Sequence, residues 1–589
     1  MHRLVTLIAA AALLLVASPV AVLGQDAPTV LVETQACADL GRKQPGEPAG
    51  RAQAERIAER FAAANLDVEL EEFHVPVYDV ADVSIEVVAP EPATYEGASF
   101  AYGGTGIVEA EVVNVGSGRA SDYTGVDAEG RIVLVERDLT FHRSAQLNEV
   151  EAHGGVAMLY VSAAPDNLVQ VGTVRFAQHP PPQIPTVTVG ADDGAELAAL
   201  ADAGGLRMRL EVDAERRDAI GVNVIGTRIG TTYPDDIILV GGHYDSWFNG
   251  AVDNCSAIGS MLQIAENVAD VDLAYTVVFG AWDAEEIGLV GSYDWVMKHP
   301  DLVERVVVNE NLEMTSAATQ VGTAELPESV VNLIFGTTGP VLNGVIATSM
   351  ATTGHVGAPT TANGVRQVQG GIIPTDLQPF YTLGVQGFST FSNSAYYHTH
   401  EDDTSHIPDS SHVRVTDFLE RFLLDIQNVP PEALRLREVP TVEVRVPDEV
   451  VVGDTVPVEI EVLDLLGQGI AGGDVRLLVN ERDHWPVLLE SAVDAGGGTY
   501  TFEVPADAVD EAGELWFTAS LSADLYAAEG HASTRVLAAG EPTPEPTPEP
   551  TTDATPDDTT PGGSSLPATG GGLAAAGLVA AAVAARRRT

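Results

Sequence analysis

His243, Asp245, Asp253 and the adjacent Glu285 and Glu286 crowd between Gly241 and Gly291. They stand in GGHYDSWFNGAVDN and, after a helix-like segment, in VVFGAWDAEEIGLVG. Two apolar, strand-like runs, residues 237–240 and 276–279, lead into them. An α/β sheet presents reactive groups at the carboxyl ends of its strands. Imidazole and carboxylate are donors that zinc accepts, and a catalytic zinc site keeps one position open. Paired ions need a carboxylate between them, and a further carboxylate can act as base toward the attacking water. An Asp-Glu-Glu run in an acidic chain is also what a solvated face looks like. Here it follows a buried-looking strand and has companions further on, which favours chemistry.

Those companions make the pattern specific. His243-Tyr244-Asp245, Asp253-Asn254, Glu285-Glu286-Ile287-Gly288-Leu289-Val290-Gly291-Ser292, Glu313-Met314 and Tyr397-His398-Thr399 follow one another in that order. In this the chain resembles the co-catalytic di-zinc exopeptidases, which include bacterial leucyl-type aminopeptidases and the glutamate carboxypeptidases. The resemblance implies two zinc ions, one held by His243 and Glu313, the other by Glu286 and His398, with Asp253 bridging. It makes Glu285 the general base and Asp245 the partner that orients the His243 ring. It makes Tyr397 a donor to the oxyanion. Glu313 stands where Asp is commoner, Cys255 where a small residue is usual, and Ala257 where Gly is frequent. None of these departures removes a ligand.

His400 and His406 compete with His398 by spacing, and only the Tyr-His-Thr pattern prefers His398. His355, in a Gly- and Thr-rich stretch, is expected at the surface or on the substrate side. Tyr244 and Trp247 line the pocket or pack behind it.

The chain ends carry addresses. Residues 1–24 have a basic start, an apolar core and small residues before Gln25, the form of a secretory signal peptide. Pro-Glu-Pro-Thr repeats form an extended stalk over residues 539–565. Leu566-Pro567-Ala568-Thr569-Gly570, an apolar run and three arginines complete residues 566–589. This end is similar to the sortase sorting signal of Gram-positive surface proteins, which implies cleavage between Thr569 and Gly570 and linkage to peptidoglycan. The apolar run is shorter than the ~20 residues of a membrane span, so membrane contact is expected only in transit. The implied location is outside the cell, on the wall.

Eighty-five acidic residues face 30 basic ones, a formal charge of −55. Nucleic acid and anionic membrane surfaces are therefore poor partners. Cys37 and Cys255 are the only cysteines, so disulfides are not the general stabilising device. The two could pair, although Cys255 beside the Asp253 turn is more simply a small packed residue.

A chain of 589 residues divides into several domains. The peptidase domain is expected over residues 25–87 and again over 213–432, as an α/β fold with a mixed central sheet flanked by helices. A helical pattern at 51–65, a strand at 68–77 and a final amphipathic helix at 413–426 belong to it. Residues 88–212 resemble the β-rich protease-associated domain, from a strand at 130–137, a helix running to Glu151, and the Ile184-Pro185-Thr186-Val187-Thr188-Val189 run. Such an insert would cover the cleft and limit substrate size. Short strands at 442–446, 456–462, 475–479, 499–504 and 515–520 suggest an immunoglobulin-like β-sandwich over 438–538. Its expected task is to hold the catalytic domain off the wall.

The expected activity is hydrolysis at peptide ends, with peptides as substrates, and an aminopeptidase is favoured because acidic groups hold a free amine. The alternative is a glutamate-carboxypeptidase-like enzyme, which needs a cationic clamp such as Arg366 or an arginine of the insert. A glutaminyl-cyclase-like transferase and a catalytically silent surface binding protein complete the set. The Glu-Glu pair and the intact ligand positions argue against both.

Overall fold

The computed structural model describes residues 28–538, except 322–323, 327–329, 337–338 and 524–525. The expected signal peptide, stalk and sorting signal, with Thr569 and Gly570, lie outside the described residues.

The peptidase portion begins with two helices, α1 (Pro28–Ala38) and α2 (Pro48–Ala63), the second opening on a proline whose fixed φ suits the first helical turn. A two-stranded antiparallel ribbon follows in space, β1 (Asp67–Ala89) against β2 (Arg207–Arg228). The expected division points 88 and 212 fall inside this ribbon, because each strand runs unbroken from one domain into the other. At one end β2 pairs with β4 (Tyr275–Trp282), and at the other with Gly106–Asn114 of the insert.

The strands that carry the site are parallel. β3 (Tyr233–His243) lies between β4 and β5 (Val306–Asn311), and β5 continues to β6 (Gly387–Phe391). Every residue of β4, YTVVFGAW, is buried, as expected of a parallel strand covered on both faces. On one face lie α2, α3 (Ser256–Asn267) and α4 (Asp409–Ile426), meeting the sheet through Phe61, Ile258, Phe418 and Phe422. The apolar stripe of α4 recurs at Val415, Phe418, Leu419, Phe422 and Ile426, a helical period. On the other face Trp295, Val296 and Phe380 pack over Leu239 and Val278. His243 pairs with Trp282 across β3 and β4, so the two carboxyl ends are level.

The insert continues the sheet through Ile132–Glu136, Ala157–Val161 and Thr186–Val189, with a helix Arg143–Ala152. The C-terminal region is β-rich. One sheet orders Thr441–Arg445, Val456–Leu463, Thr499–Val504 and Val493–Gly496. The other orders Glu449–Val451, Tyr526–Leu537, Gly513–Ala523, Asp474–Glu481 and Pro486–Ser491. The five strands expected from the sequence are present, and four more join them.

Cys37 and Cys255 form a disulfide across a sequence separation of 218 residues. Cys255 is thus packed and bonded, because α1 lies directly against α3 and the turn before it.

Candidate metal centre and substrate cleft

The carboxyl ends of β3, β4 and β5 and two loops converge on two adjoining trios. His243, Glu285 and Glu313 form one, and Asp253, Glu286 and His398 the other. His243 Nε2 lies 3.2 Å from Glu313 Oε1 and 3.3 Å from Asp253 Oδ1. His398 Nε2 lies 2.8 Å from Glu286 Oε2 and 3.0 Å from Asp253 Oδ2. Asp253 therefore touches one imidazole with each oxygen, which is the position a bridging carboxylate needs. Glu285 Oε2 is 3.8 Å from His243 Nε2.

Local backbone makes this convergence possible. Ala284, just before the glutamate pair, has φ +62, His398 has φ +59, and the Asp253–Asn254 peptide bond is cis. The two left-handed conformations persist only where the surroundings over-determine them. Asp245, fully buried, supplies part of that constraint. Its carboxylate accepts the backbone N–H groups of Glu285 at 3.0 Å and Glu286 at 3.2 Å. The His243 Nδ1 is nearer the Asp245 carbonyl, 3.2 Å, than its carboxylate, 3.4 Å. Asp245 thus orients the ring largely through its main chain, and its side chain holds the Glu-Glu turn.

A carbonyl oxygen only accepts, so both site histidines carry their proton on Nδ1. His398 Nδ1 donates to Val171 O at 3.1 Å. Each Nε2 then presents a lone pair toward carboxylate oxygens, acceptor against acceptor. Asp253 Oδ1, Glu286 Oε1, Glu313 Oε2 and His398 Nε2 are buried without a hydrogen-bond partner. The electrostatics agree. Burial drives Glu286 well above the carboxylate range, helped by Asp253. Burial also raises Glu285, with His243 opposing and Glu313 and Asp376 reinforcing, and takes Glu313 to about 7. Crowded, buried, mutually repelling acids with orphaned oxygens fit cations between them, and the nitrogen–oxygen donor set suits zinc.

The cluster opens into a cleft of about 950 Å³. Asp253, Glu285 and Glu313 lie at its floor, Tyr396 and Tyr397 on one wall, and Arg137, His142 and Arg143 of the insert on another. Across the rim, Gln369 Nε2 donates to Leu139 O of the insert at 3.0 Å. The Tyr397 ring stacks on His398, and the Arg137 guanidinium lies over the same Tyr397 ring, 5.4 Å from its centroid.

The sequence assignments can now be placed. His243, Asp245, Asp253, Glu285, Glu286, Glu313, Tyr397 and His398 all meet at this site. His400 is exposed beside Glu401, and His406 stacks on Tyr396, so neither competes with His398. His355 is not at the surface or the substrate side: it is buried and stacked on Phe418, where an apolar pocket accepts its flat ring. Arg366 does not face the cleft, because it bonds Asn363, Ser522 and Ala523 at the C-terminal β-region. Tyr244 packs behind the site and donates to Val222 O, whereas Trp247 Nε1 donates to Glu286 Oε2 at 2.8 Å.

Several contributors escaped the sequence reading. Gln170 Nε2 donates to Tyr397 O at 2.8 Å, and Val171 N donates to His398 O at 3.0 Å while its carbonyl accepts from the His398 ring. Asp402 accepts the Val252 and Asp253 N–H groups, fixing the bridging residue from the His398 side. Asp402 follows His398 by four positions, a spacing that could have drawn attention; the insert's contacts left no such trace.

Residues 223–423 match the model of peptidase family M28, and residues 108–197 that of the PA domain. The chain is 27% identical over 380 residues to aminopeptidase YwaD of Bacillus subtilis, covering 62% of this chain and 77% of that protein. It is 25% identical over 296 residues to a glutamate carboxypeptidase 2 homolog of Caenorhabditis briggsae, covering 36% and 38% of the two chains. Among solved structures, a zinc aminopeptidase from Bacillus subtilis superposes with TM-score 0.52 at 22% identity, over 70% of this chain and 98% of that one. The last likeness establishes the fold.

Proposed function

We propose that this chain acts as a zinc-dependent aminopeptidase with a co-catalytic pair of ions. Its matched segment is a metallopeptidase-type hydrolase domain that contains every clustered residue from His243 to His398. The observation that carries the reading is Asp253, which touches His243 and His398 with its two oxygens in front of a bounded cleft. In that reading His243 and Glu313 hold one ion and Glu286 and His398 the other.

Bound zinc supplies Lewis acidity toward the scissile carbonyl and the attacking water. The chain's own groups do the rest. Glu285 takes a proton from that water and passes it to the leaving amine. Asp245 keeps the Glu-Glu turn in place, and Tyr397 donates to the developing oxyanion. The Gln369–Leu139 contact bridges the cleft rim between the insert and the peptidase domain, and a bounded cleft suits a peptide end.

A second reading has a specific observation behind it. Arg137 and Arg143 reach the cleft wall, and among the described residues neither forms a salt bridge with a carboxylate. A peptide's terminal carboxylate would complete them, as a glutamate-carboxypeptidase-like enzyme requires. The acidic floor favours a free amine, so the aminopeptidase reading is preferred.

The test is a panel of peptides blocked at either end, assayed with Glu285→Gln and parent protein. Parent purified without chelator should hold about two zinc per chain and lose turnover when the amino end is acylated. Glu285→Gln should lose about 10²–10⁴-fold in kcat while keeping both metals. If C-terminal amidation abolishes turnover instead, the carboxypeptidase reading replaces the first. Normal hydrolysis by Glu285→Gln moves the active site elsewhere.

The paired C-terminal sheets are proposed as an immunoglobulin-like module. Export and wall attachment are proposed from the residues at the two chain ends. Thr569→Ala should free the protein from peptidoglycan; a variant that still resists extraction from walls overturns the address.

A further inference from the structure

We propose that Lys43 is a positioning residue for the loop that carries Asp253, an inference that rests on reading the two trios as a metal centre. Lys43 is fully buried, a condition lysine seldom meets without an ion-pair partner. Among the described residues no carboxylate lies within salt-bridge distance of its Nζ. The ammonium instead donates to two backbone carbonyls, Gly41 O at 2.8 Å and Asn249 O at 2.9 Å. Its main chain pairs with Ser246 in both directions, at 3.2 and 3.3 Å.

These contacts have one target. Residues 246–253 form the loop between Asp245 and the bridging carboxylate, and they are otherwise poorly supplied with regular secondary structure. The Lys43 main chain fixes the loop's first residue, and its side chain fixes Asn249 at mid-loop. Two residues past Asp253, the Cys37–Cys255 disulfide fixes the far end to α1. The N-terminal segment 28–47 thus straps the metal loop from behind, although it lies outside the 223–423 family match.

Charge explains why a lysine is placed there rather than a neutral donor. Burial lowers the pKa of its ammonium from 10.5 to about 8, and the through-space pull of Asp402, Asp245, Glu286 and Asp253 opposes that loss of charge. Lys43 offsets part of the cluster's negative charge without ligating or touching substrate. A neutral replacement would increase repulsion among the carboxylates, and one without a donor, such as methionine, would also leave Asn249 O unpaired. The loop would then relax, and Asp253 would leave the position between the imidazoles.

The test compares full-length parent, Lys43→Gln and Lys43→Met by zinc competition against a chromophoric chelator, thermal melting and hydrogen exchange at residues 246–253. Supporting partners of metal ligands typically govern 10–100-fold in metal affinity. The expected result is a loss of that size in zinc affinity for both variants, with faster exchange in the loop. kcat should fall at limiting zinc and recover in excess zinc, with KM unchanged. A lysine that merely stabilises the fold would lower the melting temperature and leave zinc affinity untouched, which overturns the proposal. If Lys43→Met does not fold, Lys43→Gln, which keeps one donor, decides by the same readouts. Failure of the metal reading itself is distinct: parent protein would then bind no zinc.

Discussion

The insert and the C-terminal β-region both abut the peptidase domain, yet they are joined to it in opposite ways. The insert has its own cores, one built from residues between Ile85 and Val212 and one from residues between Phe100 and Val174. It meets the catalytic residues through polar arms and a small cluster in which Ala101, Tyr102 and Ala177 pack on Ala284, Ile287 and Val290. The C-terminal region shares a single core with the peptidase, where Ile334, Ile373, Leu377 and Tyr381 pack among Val442, Ile460, Phe517 and Val536. It reaches the site only at second hand: Asn480 Nδ2 donates to Gln178 O at 2.6 Å, and Gln178 Nε2 to Gly288 O at 2.8 Å. A separate core with polar arms suits a wall that shapes substrate. A shared core suits a support.

The comparison breaks most sharply at Gly172. Its φ is +140, and a Cβ there would lie 2.5 Å from the Arg143 guanidinium and 2.9 Å from His398 Nδ1. Gly172→Ala should push the imbalance straight into the His398 imidazole. Misplacement of a reacting group by about 1 Å costs on the order of 10²-fold, so a fall of that size in kcat/KM is expected, with weaker zinc binding. Unchanged kinetics would mean that the insert covers the site without setting it.

The C-terminal region should respond more mildly. Asn480→Ala leaves the buried Gln178 carbonyl without its donor, a loss worth about 1–3 kcal/mol of stability. Activity should fall by less than about tenfold, since Ala177 N still holds Ile287 O at 2.8 Å and so the Glu-Glu turn. Thermal melting and steady-state kinetics measure both. A larger kinetic loss than that of Gly172→Ala would reverse the roles assigned to the two regions.

The sequence announced the ligands because metal chemistry demands particular residue types at strand ends, from His243 to His398. It also announced the helix at Asp409–Ile426 and the strands whose apolar residues recur at their proper period. It was silent about what holds those ligands. Val171 and Asp245 act on imidazoles through main-chain carbonyls, which any residue type provides. Lys43, Gln170 and Cys37 act across separations that leave no local periodicity. Arg366 was misjudged for the same reason: its partners Ser522 and Ala523 are distant in sequence, and nothing nearby marks the seam they form. His355 was misjudged because a histidine stacked on a phenylalanine is written no differently from an exposed one.

The smallest effect expected is on stability in acid, and it sharpens the same contrast. His531 lies on the C-terminal side of the shared seam, its Nδ1 3.0 Å from Thr518 Oγ1 and its ring edge-on to Tyr293 of the peptidase. Burial lowers its pKa from 6.5 to about 4. In the insert, burial lowers His179 to about 3, with Arg175, Arg476 and Arg216 contributing. Both groups bind protons more readily unfolded than folded. Their contribution is therefore complete above about pH 6.5 and is lost as pH falls toward the folded value, at most about 1.4 kcal/mol per unit for each imidazole. Between pH 6.5 and 5 each costs at most about 2 kcal/mol by the same relation. His531→Gln removes one such group from the seam between the peptidase and the C-terminal region, so it should flatten the acid slope of the peptidase transition itself. His179→Gln should flatten the slope of the insert, followed by hydrogen exchange in Ile132–Glu136 and Ala157–Val161, and affect the peptidase transition less. Equal effects of both variants on one common transition would mean that the insert's separate cores do not make it a separate unit of stability.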